Sequence, residues 1–294
     1  MFPPRQFAAA VTALLLIEGA FLVSAVDSRA EAPSGSCEDA AELAVLTSPI
    51  TPWKRAPLRV VFAAEKPLEG ELSLVAPDGK VATKSRERHG GPPYFWFAEV
   101  ASPTVGTWRA TLTREGALAE CSTITREIAV RRARPTPPRA TRKSVWPLRD
   151  TWNRRTENLY SAWIETLFDA PVEETLSWRA LHEVLRDPSR NFLFNHLGLR
   201  EDQKGLIIRP DCADLPYFLR AYFAFKMGLP FGYSKCTRGG GGKPPKCRQW
   251  WNIQKEEPPP ASRKQTAASG GVFGVFGAPA AAKTTRRSQR PKGL

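Results

Sequence analysis

The sequence predicts an α+β protein in which an antiparallel β-sandwich precedes a helical domain. Residues 37–130 alternate short apolar runs with turn residues, whereas apolar residues recur at helical spacing within 147–254. Residues 255–294 are rich in Pro, Ala, Gly and Ser, a composition that predicts a disordered tail. The other predicted segments are an N-terminal signal or anchor, 1–30, and a basic Pro-rich linker, 131–146.

Five runs of alternating apolar and polar residues predict the strands of the sandwich: 58–62, 71–75, 94–98, 107–112 and 124–130. Turn-forming sequences such as Pro77-Asp78-Gly79 separate them. The spacing of strands and turns resembles that of bacterial immunoglobulin-like envelope modules. That resemblance is one of pattern, and it specifies no ligand.

The N-terminal segment predicts export. Arg5 is the only charged residue before the apolar run 7–17, and apolar residues continue after Glu18. This arrangement is typical of a secretory signal peptide. An uncleaved membrane anchor and a buried core helix are the alternatives, and Glu18 disfavours the anchor because a carboxylate at bilayer depth is costly. We therefore expect a periplasmic, cell-envelope or secreted protein that meets a membrane only through this segment.

The formal net charge of +14 is concentrated in two segments. Residues 131–143 carry six positive charges and 283–292 carry five, with no acidic residue in either. The rest of the chain is therefore nearly neutral, and such charged runs are typical of solvated linkers and tails. We expect no sequence-specific binding of nucleic acid.

Three helices are predicted in the second domain. Residues 152, 159, 163 and 167 share one helical face, and an amphipathic pattern covers 176–185. A third, strongly apolar helix is expected over 213–227, because Gly228 and Pro230 follow it. We expect this third helix to be buried.

The five cysteines suggest two disulfides and one free thiol in an exported chain. A bond between Cys37 and Cys121 would join the ends of the sandwich, and one between Cys236 and Cys247 would close a Gly- and Pro-rich loop. Cys212 is then left alone. Ten residues separate the second pair and no His is near, so a zinc site is not expected, and neither is any cofactor.

Cys212 occupies the predicted start of the third helix, where a thiol is best placed for chemistry. The N–H groups of a first helical turn and the helix dipole both favour the nucleophilic thiolate. Asp211 or Asp214 is expected to cap the helix, and either carboxylate would oppose the thiolate somewhat. The alternatives are a structural buried thiol and a different disulfide arrangement.

The segment Asp211-Cys212-Ala213-Asp214, with its apolar helix and Gly228-Leu229-Pro230, resembles the nucleophile helix of the papain-like cysteine hydrolases. The similar branches are the NlpC/P60 cell-wall hydrolases and the transglutaminase-like proteins. The resemblance covers about 25 residues. It implies an α+β domain, thiol attack by Cys212 on an amide, a motif role for Asp214, and envelope peptides or peptidoglycan as substrates.

The histidines depart from this family pattern. Family members take a His from strands after the helix, but His89, His182 and His196 all precede Cys212. His196 is the least implausible base among them. We expect His89 at the surface and His182 on a helix.

Two functions follow from these predictions. The first is an exported cysteine amidase-like hydrolase of envelope peptides or peptidoglycan, with weak or absent activity in this chain. On this hypothesis the papain-like domain is incomplete, with its C-terminal half lost by truncation or a frame shift; a natural disordered tail is the alternative. The second function is a non-catalytic envelope-binding or scaffold protein in which Cys212 only packs.

Overall fold

The computed structural model describes residues 43–117, 121–136, 144–205 and 207–254. Eight strands come first: β1 (Ala44–Ser48), β2 (Leu58–Ala64), β3 (Gly70–Val75), β4 (Val81–Ser85), β5 (His89–Gly90), β6 (Tyr94–Val100), β7 (Gly106–Arg114) and β8 (Thr123–Val130). They are followed by α1 (Arg154–Phe168), α2 (Leu181–Leu185), a 3₁₀ turn (Glu201–Gln203), α3 (Leu215–Met227), β9 (Gly232–Cys236) and β10 (Cys247–Asn252). The prediction of an α+β protein is confirmed. The predicted signal or anchor, 1–30, and the tail, 255–294, lie outside the described residues.

The first eight strands form two antiparallel sheets that face one another. One sheet has the order β1-β2-β6-β5 and the other has the order β4-β3-β7-β8. Alternate residues of both sheets bury a shared core, which includes Phe62, Leu74, Trp96, Trp108 and Leu112. Every strand run predicted from alternation is therefore found, while β1, β4 and β5 were not predicted.

Strand β2 is buried on both faces because the helical region packs against the outside of its sheet. All seven residues of β2 are buried. Val60 and Phe62 point between the sheets, whereas Val61 and Ala63 join the core that contains α1 and α3. The sandwich and the helical region thus share the first sheet as a common wall.

Helix α1 has a sequence-encoded start. The side chain of Asn153 accepts a hydrogen bond from the backbone N–H of Thr156, and the Thr156 hydroxyl accepts one from the backbone N–H of Asn153. This reciprocal capping satisfies two N–H groups of the first turn. Trp152 therefore lies before the helix, and its predicted place on the helical face was wrong.

The second predicted helix is much shorter than expected. Only Leu181–Leu185 is helical, and Ala180 before it has an extended backbone with no side-chain cap. The Leu181 N–H instead donates to the carbonyl of Ile208 at 2.9 Å. This bond joins α2 to the chain that leads to Cys212.

Two parts of the predicted linker 131–146 are packed in the folded protein. Arg131 exchanges backbone hydrogen bonds with the loop around Trp53, and Arg134 places its guanidinium over the Trp53 ring, 5.7 Å from its centroid. Trp146 is almost fully buried and donates its indole N–H to the carbonyl of Leu229. Residues 137–143 lie outside the described residues.

Strands β9 and β10 form an antiparallel hairpin after α3 that was not predicted. The disulfide predicted between Cys236 and Cys247 is present and closes the loop that leads from the end of β9 to the start of β10. Cys121 is disulfide-bonded and buried, while its predicted partner, Cys37, lies outside the described residues. Among the described helices, none combines the length and apolar character needed to cross a bilayer.

Candidate functional site

Cys212 is an exposed thiol, and the prediction that it begins a buried helix was wrong in two respects. Helix α3 starts at Leu215, and Cys212 lies in the turn before it. The turn and the first helical residues face solvent, while burial begins at Leu219. An apolar composition predicted burial, but Pro216 and Tyr217 occupy an exposed face of the helix.

Asp211 accepts the hydrogen bonds of the backbone N–H groups that were expected to face the Cys212 thiol. Its carboxylate accepts hydrogen bonds from the N–H groups of Ala213 at 3.0 Å and Asp214 at 2.9 Å, and its carbonyl accepts one from Leu215. Asp211 therefore caps the turn that leads into α3, while the residue at the N-cap position of the helix itself is Asp214. Asp214 is exposed and makes no side-chain capping bond.

His196 and Cys212 lie at opposite ends of α3. His196 is buried, within electrostatic reach of Lys226 in the last helical turn. Fourteen residues separate Lys226 from Cys212, which corresponds to about 21 Å along a helix. Burial, with the positive charge of Lys226, lowers the pKa of His196 to about 3. The structure does not bring the predicted nucleophile and base together.

His182 contacts the chain that leads to Cys212, but its Nδ1 atom already accepts a hydrogen bond there. The N–H of Ile208, four residues before Cys212, donates to Nδ1 of His182 at 3.1 Å. A neutral imidazole that accepts at Nδ1 carries its proton at Nε2, so it has no lone pair left for a thiol proton. His89 stacks on Phe95 in the sandwich. No histidine of the chain is thus arranged as a base for Cys212.

A cleft of about 680 Å³ opens between the exposed half of α3, the segment before α1 and the β9–β10 hairpin. We call it the aromatic cleft, because five aromatic side chains line it: Trp152, Tyr160, Tyr217, Phe231 and Trp250. Tyr217 and Trp250 are more than half exposed, at 56% and 60%. Large exposed aromatic surfaces beside a concavity are typical of binding sites.

Arg220 is the only charged residue among those that line the aromatic cleft. Its guanidinium lies 3.4 Å from the centroid of the Trp152 ring and 4.8 Å from that of Tyr160. The same group makes a two-bond ion pair with the carboxylate of Glu157 on α1. The positive charge is therefore compensated by an acid and covered by aromatic faces.

The hairpin places Trp250 by close packing onto Gly232. A Cβ atom at Gly232 would lie 2.5 Å from Cζ2 of Trp250, so a larger residue would displace the indole. Trp250 lies opposite Ser234 in the register, and the disulfide follows two residues further along β9. The disulfide-closed hairpin thus forms one wall of the cleft.

A second cleft adjoins the aromatic cleft at Pro216. Pro216 and Tyr160 also line this second cleft, of about 460 Å³, with Glu165 and Leu219 among its other residues. Burial, and then the charge of Asp169, raise the pKa of Glu165. Cys212, Pro216 and Arg220 follow one another at intervals of four residues, and the bond from Leu215 to Asp211 keeps this spacing helical. Cys212 is therefore one turn beyond the shared wall of the two clefts.

A buried ionic group lies at the other end of α3. Nζ of Lys226, fully inaccessible to solvent, donates to Glu201 at 2.5 Å and to Asp202, which also accepts from the hydroxyl of Tyr222 at 2.9 Å. Asn191 donates to that hydroxyl and accepts from the indole of Trp163. Every charge here has a partner, so the group holds the 191–202 loop against α3.

Sequence reasoning missed the aromatic cleft because its walls come from segments about thirty to seventy residues apart in sequence. Trp152, Tyr217 and Trp250 belong to the pre-α1 segment, α3 and β10. The available signal was the pair Trp250-Trp251, in which one side chain must face away from the core if the segment is a strand. Trp250 is exposed and Trp251 buried, as that alternation requires.

Within the described residues, no cluster of three or more His, Cys, Asp or Glu side chains is arranged to hold a metal ion. The aromatic cleft is also without a lining His or Cys. Its residues suit binding through ring faces, hydroxyls and amides.

No protein-family model and no curated protein matches the chain. Among solved structures, AaCel9A in complex with a cellobiose-like isofagomine is 15% identical with a TM-score of 0.20, over 30% of this chain and 15% of that one. A metagenome-derived glycoside hydrolase family 9 endoglucanase is 17% identical with a TM-score of 0.21, over 31% and 18%. Polysaccharide lyase BACCELL_00875 is 13% identical with a TM-score of 0.24, over 63% and 30%. The chain spans less than a third of each structure, and likenesses at this level carry no argument about fold or function.

Proposed function

We propose that this chain is an exported, non-catalytic binding protein that holds a component of the cell envelope in the aromatic cleft. The observation that carries this proposal is the exposure of Trp250 of β10 and Tyr217 of α3 in the lining of one concavity. Apolar surface of this kind is costly to leave in water, and a ligand that covers it gains that free energy. The envelope location rests on the predicted signal segment, 1–30.

The arrangement around Cys212 supports binding over hydrolysis. Acyl transfer by a thiol needs a base within hydrogen-bond reach to take the thiol proton. His196 lies at the far end of α3, and His182 already accepts a backbone hydrogen bond. A protein with this geometry binds without turnover.

The test is co-sedimentation of the full chain with purified peptidoglycan sacculi. We expect the wild-type protein to sediment with the sacculi and Trp250→Ala to lose about tenfold or more in affinity, because a stacked aromatic ring is a typical binding hot spot. Ile207→Ala is the matched control, since Ile207 is 64% exposed and lies outside the cleft. Equal sedimentation of Trp250→Ala and Ile207→Ala would show that the cleft is not the binding site. If the wild type does not sediment with the sacculi, the proposal of an envelope ligand is wrong.

A cysteine hydrolase is the second candidate, and the exposure of Cys212 one turn beyond the cleft favours it. It predicts release of soluble fragments from sacculi or stem peptides by the wild type and none by Cys212→Ser. Binding without fragment release, identical in the two proteins, would exclude this candidate.

A further inference from the structure

The aromatic cleft offers ring faces and neutral polar groups instead of charge. Tyr217 and Trp250 present exposed rings, and the neutral polar side chains of the lining are the two tyrosines, Asn252 and Gln254. Hydroxyl and carboxamide groups both donate and accept hydrogen bonds. Burial raises the pKa of the Tyr160 phenol, which therefore remains a donor at neutral pH.

The one lining charge is not available to a charged ligand. An anion that bound Arg220 would have to replace the two-bond pair with Glu157 and the stacked faces of Trp152 and Tyr160. A cation at Glu157 would face the same competition from Arg220. The site therefore favours a neutral ligand over an ionised one.

A pyranose sugar fits this combination of groups. One face of the ring carries C–H groups that stack on an aromatic face, while the hydroxyls and N-acetyl group at its edge exchange hydrogen bonds with hydroxyls and carboxamides. The volume of about 680 Å³ lies in the range of roughly 300–1,000 Å³ that holds small-molecule ligands, which suits two or three linked sugars. The adjoining second cleft extends the groove along α1.

We propose that the aromatic cleft binds a neutral saccharide, and that the sugar strand of peptidoglycan, not its ionised stem peptide, is the part recognised. This inference rests on the proposed envelope-binding function. Sugar rings stack on Trp250 and Tyr217, and the Tyr217 hydroxyl and the Gln254 carboxamide hydrogen-bond to the sugar edges. Arg220 and Glu157 act as a fixed, neutral floor.

Calorimetric titration of the full chain with a soluble tetrasaccharide of N-acetylglucosamine tests the ligand class directly. We expect binding by the wild type, a loss of about tenfold or more for Trp250→Ala, and a smaller loss for Trp250→Phe, which keeps a ring. Ile207→Ala should bind as the wild type does. The absence of heat with the wild type, or unchanged affinity in Trp250→Ala, would overturn the inference.

Competition against sacculi separates this inference from the function on which it rests. Displacement of the protein by the tetrasaccharide and not by free stem peptide supports a sugar-binding cleft. Displacement by the stem peptide alone overturns the saccharide but leaves envelope binding in place. If the protein does not bind sacculi, the envelope function fails, and the direct titration alone decides whether the cleft takes a sugar.

Discussion

The guanidinium of Arg220 lies flat against Trp152, with its central carbon 3.4 Å from the centroid of the indole ring. Trp152 in turn stacks on Phe223 at 5.9 Å and donates its indole N–H to the carbonyl of Pro230. These contacts join α3, the segment before α1 and the chain that enters the hairpin. The floor of the aromatic cleft is therefore a layered stack that fixes the distance between its walls.

Substitution of Arg220 by Lys should destabilise the protein by about 1 kcal/mol. An ammonium group keeps the charge but loses the two-bond pair with Glu157 and the flat contact with Trp152. Because both side chains of the ion pair are partly exposed, solvent screening reduces the free energy that these contacts contribute. Urea unfolding measures the change. Arg154→Lys is the control, because Arg154 makes one contact with Glu65 and is 73% exposed. Similar losses in both variants would contradict a special role for the stack.

Stability should fall on mild acidification because of His196. In the unfolded chain His196 binds a proton near its ordinary pKa of 6.5, whereas in the native protein its pKa is about 3. Between these two values the unfolded state binds the proton and the native state does not. The contribution of His196 to stability is therefore complete above pH 6.5 and declines as the pH falls below it. We expect a loss of up to about 1.4 kcal/mol per pH unit over this interval. Burial alone would raise the pKa of Glu201, but Lys226 and backbone N–H groups lower it overall, so this carboxylate adds to the decline only below its ordinary value of 4.5.

Unfolding free energies measured between about pH 5 and 7 isolate the contribution of His196. In His196→Gln the slope with pH should be much reduced, whatever the variant does to stability at neutral pH. His89→Gln, which removes a partly exposed histidine of the sandwich, is the matched control for the loss of an imidazole. A wild-type slope in His196→Gln would show that other groups set the acid sensitivity.

The strands could be predicted from sequence because the sandwich has the simple alternation of one buried and one opposite face. Strand β7 follows this rule, and β2 departs from it only because a second core covers its outer face. The hairpin escaped prediction since β9 and β10 are largely exposed and carry Gly, Lys and Arg in place of an apolar stripe. Composition identifies a core-facing element, but it does not identify a surface wall held by a disulfide.

The surroundings of Cys212 show which part of the candidate site could not be predicted from the sequence. The residues of α3 predicted a buried helix, and the average burial of its second half agrees, yet its first turn faces solvent. The partners of the exposed half of α3 come from distant segments: Glu157 of α1 pairs with Arg220, and Trp250 of the hairpin lines the same cleft. No local pattern contains those contacts, so the cleft emerged only from the folded arrangement.

Removal of the buried ammonium in Lys226→Met should cost about 3–5 kcal/mol. Glu201 and Asp202 would remain buried, with side-chain exposures of 5% and 6%, and without their counter-charge. The triple variant Lys226→Met, Glu201→Gln, Asp202→Asn removes the uncompensated charge and should recover part of the loss. Chemical denaturation compares the two, and a triple variant less stable than the single one would contradict the ionic explanation.

Cys212 should react with a maleimide in the native protein at a stoichiometry of one, because it is the free, exposed thiol among the described residues. Cys236, Cys247 and Cys121 are held in disulfides, and Cys37, outside the described residues, is the predicted partner of Cys121, so Cys212→Ser should show no native labelling. The labelled protein also distinguishes the two proposed functions. A binding protein should keep its affinity for sacculi after a small alkyl group is added at Cys212, since Cys212 is not a lining residue of the cleft. A cysteine hydrolase would lose all turnover on the same treatment, because alkylation consumes the nucleophilic sulfur.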